Sequence, residues 1–214
     1  MPAFVTRQCS GDACRLRFPV AADSRLGDRC PHCGADTIVD VAYDSHDARD
    51  TGAESTAGGQ LEVLLDNVRS LRNVGSMFRT ADGAGVAHMH LCGFTPTPAH
   101  PQMAKTALGA EAAVPWTLHR DGAAAAAWLQ ASGRRLWALE GGPRSRALGR
   151  EDAEAAGAGS PVVLVLGHEV SGVDPRILER CERVLRLPMV GIKGSLNVSV
   201  AFGIAVYWLR FGLR

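Results

Sequence analysis

Two groups of residues in this 214-residue chain have the types and spacing to do chemistry. The first is the run Leu187-Pro-Met-Val-Gly-Ile-Lys-Gly-Ser-Leu-Asn-Val-Ser, which leads directly into an apolar helix. Pro188 donates no backbone N–H and ends the short apolar strand before it. Gly191 and Gly194 allow a tight turn or the close approach of a ligand. Ser195 sits where an N-cap belongs, and Asn197 adds an amide that both donates and accepts. The run predicts a polar, glycine-lined pocket at the carboxyl end of a strand, where open α/β sheets bind ligands. The second group is Cys9-x4-Cys14 with Cys30-x2-Cys33. Two thiolate pairs at this spacing suit one tetrahedral zinc, with a redox pair or a ribbon that has lost its metal as the other readings.

Two further segments repeat the pattern of strand, polar loop and helix that would bring side chains to the same edge. Pro161-Val-Val-Leu-Val-Leu reads as a buried parallel strand opening into Gly167-His-Glu-Val-Ser-Gly-Val, with Asp174-Pro175 starting a short helix. Upstream, Leu61-Glu-Val-Leu-Leu leads into a polar stretch and a helix predicted over 73–84, closed by Gly85. On it Asn73, Met77 and Ala84 share one side, while Arg72, Ser76 and Arg79 carry polar groups. Three such loops at one sheet edge are expected to converge.

These residues carry a family resemblance. Asn73-Val-Gly-x-x-x-Arg-Thr-Ala-Asp, Leu166-Gly-x-Glu-x-x-Gly and Leu187-Pro-Met-x-Gly-x-x-x-Ser-Leu-Asn-Val-Ser-Val-Ala resemble, in order, the three motifs of the SpoU/TrmH branch of the SPOUT methyltransferases. The resemblance runs from about Leu61 to Leu209. Asn67 and Asn73 both fit the first motif's asparagine, and the spacing to Arg79 favours Asn73. The resemblance implies transfer of a methyl group from S-adenosylmethionine to a ribose 2′-hydroxyl of tRNA or rRNA. It implies catalytic roles for Asn73, Ser195 and Asn197, and for Arg79 the part of activating the hydroxyl. A guanidinium with a pKa above ~12 is a poor base, so its chemistry points instead to a clamp on a neighbouring phosphate that stabilises the developing alkoxide. It places the cofactor against Gly167, Glu169, Leu187, Met189 and Leu196. It also implies a C-terminal trefoil knot, which periodicity cannot reveal and the general prior opposes.

Composition fits a compact enzyme. The hydrophobic fraction of 46% suffices for a full core, and the net charge of +1 gives no overall electrostatic case for nucleic acid. Arg69, Arg72 and Arg79 gather at the first motif. Arg134, Arg135, Arg144, Arg146 and Arg150 form a second group, readable as solvated surface or as an RNA path. The C-terminal helix is too short for the ~20 residues a bilayer needs, so no membrane association is expected, and no signal peptide is recognisable. A cytoplasmic setting is expected, with RNA and not DNA as partner. A helix apolar almost all round must be covered, which predicts a homodimer. Cys92 and Cys181 read as small buried apolar residues, and His32, His88, His90, His119 and His168 show no catalytic or metal pattern.

The fold class expected is α/β: a mostly parallel sheet with helices on both faces, preceded by a small zinc-ribbon-like module. Strands are expected at 61–65, 87–92, 114–118, 135–140, 162–166 and 183–187. Helices are expected at 73–84, 101–109, 121–132, 174–181 and 195–210. The boundaries are a module at 1–42, a flexible linker at 43–59 and a methyltransferase domain at 60–214. A second reading keeps the fold but makes the protein a catalytically silent RNA-binding or scaffolding protein. Stabilisation by S-adenosylmethionine separates the two.

Overall fold

The computed structural model describes residues 3–44 and 60–212. Two compact units divide the chain, Met1–Thr56 and Ala57–Arg214. In the first, β1 (Phe4–Cys9) lies between β2 (Arg17–Ala21) and β3 (Thr37–Tyr43) in an antiparallel sheet. Pro19 sits on edge strand β2, where the missing N–H breaks no ladder. Tyr43, assigned from the sequence to the linker, instead pairs with Phe4 and stacks on its ring at 6.0 Å. Most of the expected linker lies outside the described residues. Four of the module's arginines pair with its own aspartates: Arg7–Asp28, Arg15–Asp12, Arg17–Asp40 and Arg29–Asp36. Cys9 and Cys30 are its buried apolar residues, while Leu26, Ile38, Val39 and Val41 are exposed, so this unit has almost no hydrocarbon core.

The second unit holds β4 (Leu61–Asp66), β5 (His88–Cys92), β6 (Trp116–His119), β7 (Arg135–Leu139), β8 (Arg146–Ala147), β9 (Val162–Leu166) and β10 (Arg183–Arg186). The strands form one sheet in the order β6-β5-β4-β9-β7-β10-β8, parallel at every pairing. Central strands β4 and β9 are buried along their whole length, which is why both read as apolar runs without alternation. Helices α1 (Leu71–Ala84), α2 (Met103–Ala107), α3 (Ala110–Ala113), α5 (Arg150–Ala156) and α7 (Val198–Phe211) supply or flank one core, which includes Leu61, Val63 and Leu65. Helices α4 (Gly122–Ala131) and α6 (Pro175–Leu178) cover the other face, where Leu64 points. The alternation of Val63 and Leu64 between two cores is the period-two pleat seen through a sheet covered on both sides.

Local chemistry moved several boundaries. The first helix begins at Leu71, two residues before its predicted start, because Ser70 accepts the Asn73 N–H at 3.3 Å and caps it. Asn73 is therefore inside the first turn. The last helix begins at Val198, and its N-cap is Asn197, not Ser195: Asn197 Oδ1 accepts the Ser199 N–H at 2.8 Å. The helix expected over 101–109 is shortened to α2, ended by Leu108 and Gly109, both with positive φ, and an unforeseen short helix α3 follows them. Strand β8 and helix α5 were not foreseen. Asp152, fully buried, explains both: its carboxylate accepts the Gly149 N–H and bonds Arg146 on β8 and Arg183 on β10.

Candidate functional site

Three loops at the carboxyl ends of β7, β9 and β10 enclose a cavity of about 400 Å³, within the ~300–1,000 Å³ usual for small-ligand sites. Its apolar walls are Leu139, Leu166, Leu187, Met189 and Leu196, and its polar rim carries Glu140, Glu169, Ser195 and Asn197. All five residues expected to hold the cofactor line it. The β9 loop has one permitted course. A Cβ on Gly167 would stand 2.2 Å from the backbone of Gly172 and Val173, so any side chain there would force the loop open. A Cβ on Gly191 or Gly194 would meet no described atom of the protein within 4 Å, and neither has a positive φ, so the protein itself does not demand glycine at either.

At the rim, the three sequence segments join through hydrogen bonds. Glu169 accepts from the backbone N–H groups of Arg69 and Ser70, both at 3.0 Å, and from Asn73 Nδ2 at 3.1 Å. Asn197 Nδ2 donates to Asn73 Oδ1 at 3.1 Å. Burial would raise the Glu169 carboxyl, but the N–H groups of Arg69, Glu169 itself and Ser70, with the Asn73 amide, hold it below the usual range. Glu169 thus satisfies free donors at the start of α1 as an anion near the positive end of the helix dipole. Ser195 is exposed on the cavity wall with no side-chain partner among the described residues.

Arg79 stands apart from this cluster. Six residues along α1 separate it from Asn73, a rise of about 9 Å and a rotation of about 240°. It is exposed and lies on a stripe with Arg72, Ser76 and Gly83. That stripe runs beside α7: a Cβ on Gly83 would meet the Tyr207 hydroxyl at 2.9 Å. Tyr207 belongs in turn to an exposed apolar row on α7 formed with Val200, Ile204 and Phe211.

The second arginine group is structural at four of its five positions. Arg146 bonds Asp152, Arg150 pairs with Glu154, Arg134 with Glu62, and Arg135 donates to the carbonyls of Ala155, Ala158 and Ser160. The histidines also differ from their reading as isolated side chains. Glu62, buried on β4, bonds His90 Nε2 at 3.2 Å and Arg134 at 2.7 Å, and His90 Nδ1 lies 3.1 Å from His119 Nε2. Burial would raise Glu62, yet its His90 and Arg134 partners outweigh that and bring it to about 2. Desolvation, then repulsion from His90, lowers both His88 and His119. No sequence spacing could have found this group, because its members come from three strands and a loop. Burial pushes the Cys92 and Cys181 thiols up to about 12, in keeping with inert apolar residues.

In the first unit the sulfurs of Cys9, Cys14, Cys30 and Cys33 all lie within 4.8 Å of one another, with Cys9–Cys33 at 3.4 Å and Cys14–Cys30 at 3.8 Å. A tetrahedron with Zn–S near ~2.3 Å has edges of roughly 3.8 Å, so the four sulfurs fit that ion. His32 is exposed and outside the group.

A parallel α/β sheet with a glycine-bounded cavity at its carboxyl edge defines a small-ligand-binding α/β protein. The chain belongs to the SpoU rRNA Methylase family, whose model matches residues 60–207. It is 33% identical over 155 residues to the 23S rRNA (guanosine-2'-O-)-methyltransferase RlmB of Pseudomonas aeruginosa, covering 72% of this chain and 60% of that protein. It is 31% identical over 159 residues to the 23S rRNA (guanosine(2553)-2'-O)-methyltransferase RlmP of Bacillus subtilis, covering 73% and 60%. The chain thus spans about three fifths of these relatives. Among solved structures, the AdoMet-bound rRNA methyltransferase from Sinorhizobium meliloti superposes with a TM-score of 0.64 at 28% identity, covering 73% of this chain and 58% of that one. The TrmH/SpoU tRNA modifying enzyme of A. aeolicus gives 0.62 at 28% identity, covering 72% and 77%.

Proposed function

We propose that this protein transfers a methyl group from S-adenosylmethionine to a ribose 2′-hydroxyl of RNA, with rRNA the first substrate to test. The observation that carries the reading is the meeting of Asn73, Glu169 and Asn197, one from each motif, at the rim of the glycine-bounded cavity. The cavity fits a nucleoside-bearing cofactor: Leu166, Leu187 and Leu196 offer apolar walls, and Gly167, with no side chain, lets the loop close on the backbone of Gly172 and Val173. When bound, the cofactor's sulfonium supplies an activated methyl group. The residues' task is then to align a weak nucleophile and stabilise charge as its proton departs. Glu169 holds the Asn73 amide, and Asn73 and Asn197 hold each other, so both amides are pre-oriented for a ribose or phosphate. Ser195, exposed on the wall, is free to join them.

Arg79 supplies the cation for the phosphate and the developing alkoxide. Its position about 9 Å along α1 from Asn73, on the stripe beside the exposed row of α7, favours service to the site of a second subunit. Covering Val200, Ile204, Tyr207 and Phe211 with another copy of the chain would both bury the apolar row and carry Arg79 across. We also assign one structural zinc to Cys9, Cys14, Cys30 and Cys33, and a threaded, knotted course to the β10–α7 segment, as in the family. We also assign the protein to the cytoplasm, where its RNA substrate would be; among the described residues no helix is long and apolar enough to cross a membrane. The test is twofold: calorimetric titration with S-adenosylhomocysteine, then transfer of labelled methyl to unmodified rRNA with mapping of 2′-O-methyl positions. Saturable binding and a mapped ribose are expected. Binding without transfer to rRNA or tRNA would leave the scaffold reading in its place.

A further inference from the structure

Phe94 is 59% exposed, yet the backbone on both sides of it is hydrogen-bonded. Gly93, at φ 62, gives its N–H to the His119 carbonyl at 2.9 Å, and Phe94 gives its own to Asn67 Oδ1 at 3.3 Å. Asn67, itself at φ 57, is fixed in turn by donating to the buried Asp66 at 2.8 Å. On the other side Thr95 is buried, its hydroxyl bonded to the carbonyls of Leu65 and Cys92. A large apolar side chain is therefore presented to solvent by a hydrogen-bonded loop. A single exposed apolar residue is ordinary in itself; what singles out Phe94 is the set of groups beside it.

The ring does not stand alone. His168, which lines the cavity, meets it edge to face, with centroids 5.9 Å apart and planes at 87°. The His168 Nδ1 accepts the N–H groups of Val170 and Ser171 at 3.1 and 3.3 Å, so the ring's proton is on Nε2 as a free donor. Two exposed arginines without an acidic partner among the described residues are tied to the pair through the backbone: the Arg69 N–H bonds Glu169, which follows His168, and Arg120 follows His119, whose carbonyl accepts the Gly93 N–H. An aromatic face, one ring N–H donor and two unpaired guanidiniums make a surface for a stacked base with phosphates on either side.

We propose that Phe94 and His168 form a stacking platform for an unpaired nucleobase of the RNA, at the rim of the methyl-transfer cavity. This rests on the reading of the protein as an RNA methyltransferase and adds the residues that would grip the base. The platform stacks the base on Phe94, His168 Nε2 donates to an acceptor on its edge, and Arg69 and Arg120 hold the backbone.

The experiment measures binding of a fluorescein-labelled single-stranded 12-nucleotide RNA by anisotropy, alongside labelled methyl transfer to rRNA, for the wild type, Phe94→Ala, Phe94→Leu and Phe94→Trp. Loss of one stacked base is expected to weaken RNA binding roughly tenfold in the Ala and Leu variants, while Trp retains it. Because no phosphate contact is lost, the dependence of binding on salt should be unchanged, as should the affinity for S-adenosylhomocysteine and the melting temperature. An Ala variant within twofold of wild type in RNA binding and in KM for rRNA overturns the platform while methyl transfer by the wild type keeps the methyltransferase reading intact. A Leu variant as good as Phe overturns it too, since a merely apolar contact, as with a protein partner, needs no aromatic face. A wild type that neither binds RNA nor methylates it overturns both.

Discussion

At the scale of single residues, the proposed methyl transfer assigns Glu169 to support and Arg79 to charge. Glu169 touches two backbone donors and Asn73, so Glu169→Ala frees the start of α1 and the Asn73 amide together. Melting should drop by a few degrees, in line with ~1 kcal/mol for a lost helix cap, and methyl transfer should fall more than cofactor affinity. Arg79 makes no contact with the cavity wall of its own chain. Arg79→Ala should leave melting and S-adenosylhomocysteine binding near wild type while methyl transfer falls roughly a hundredfold, as expected when one charge-stabilising donor worth ~3 kcal/mol is removed. Arg79→Lys should rescue little, because a point charge does not reproduce a planar fork. An Arg79→Ala enzyme that keeps full activity on its RNA removes this residue from the mechanism.

At the scale of elements, the face of the sheet under α4 depends on pH through His88, His119 and Glu62. Folding lowers both histidines, so the fold prefers their neutral forms. That contribution is complete above the unfolded value near ~6.5 and is lost as pH falls through it and below. Glu62, held at about 2, contributes above the ordinary carboxylate range and loses its effect only as pH falls through that range towards 2. Thermal unfolding of the domain should therefore decline first as pH falls below the ordinary histidine value of ~6.5, and His119→Gln should flatten that first decline. A melting curve independent of pH through that value would show that the histidines are not neutralised by the fold. On the opposite side of the sheet, Asp152 ties β8, α5 and β10 together. Asp152→Ala, which leaves two arginines without their shared acid, should cost on the order of 3 kcal/mol in denaturant unfolding.

At the scale of the whole molecule, the two units should lose their structure independently. The first has two cysteines and little else as apolar core, so a chelator should unfold it, releasing one zinc per chain by elemental analysis. Cofactor binding by residues 60–214 should persist. Tyr207→Asp would place a charge in the exposed row of α7, and sedimentation should then report monomers with little methyl transfer. Mixing Arg79→Ala with Asn197→Ala subunits should restore activity if Arg79 serves the opposite site, since one intact site is reassembled. No recovery would place Arg79 in its own subunit's site.

The sequence by itself determined the elements whose pattern is local. Apolar runs such as β4 and β9 are legible because a strand buried on both faces must be apolar throughout. Gly85 ends α1 where the chain needs a left-handed residue. The four cysteines and the three motifs are equally local, and with them the cavity-lining residues Gly167, Leu187, Met189 and Leu196. Tertiary structure alone decided what depends on contact across long stretches of chain. Ser70 and Asn197 became the caps where Ser70's own hydroxyl and the Asn73–Asn197 bond, 124 residues apart in sequence, made those starts better satisfied than the neighbouring ones. Strand β8 is two residues long and carries no hydrophobic period, so only Asp152 and the β10 edge give it a place. The histidines looked solitary because their partners arrive from adjacent strands, and nothing local in the sequence marks Phe94 as exposed because burial is a property of the fold. Spacing along the chain encodes helix faces and strand pleats; which loops meet, and which side chains are left facing water, is fixed only when the sheet closes its order.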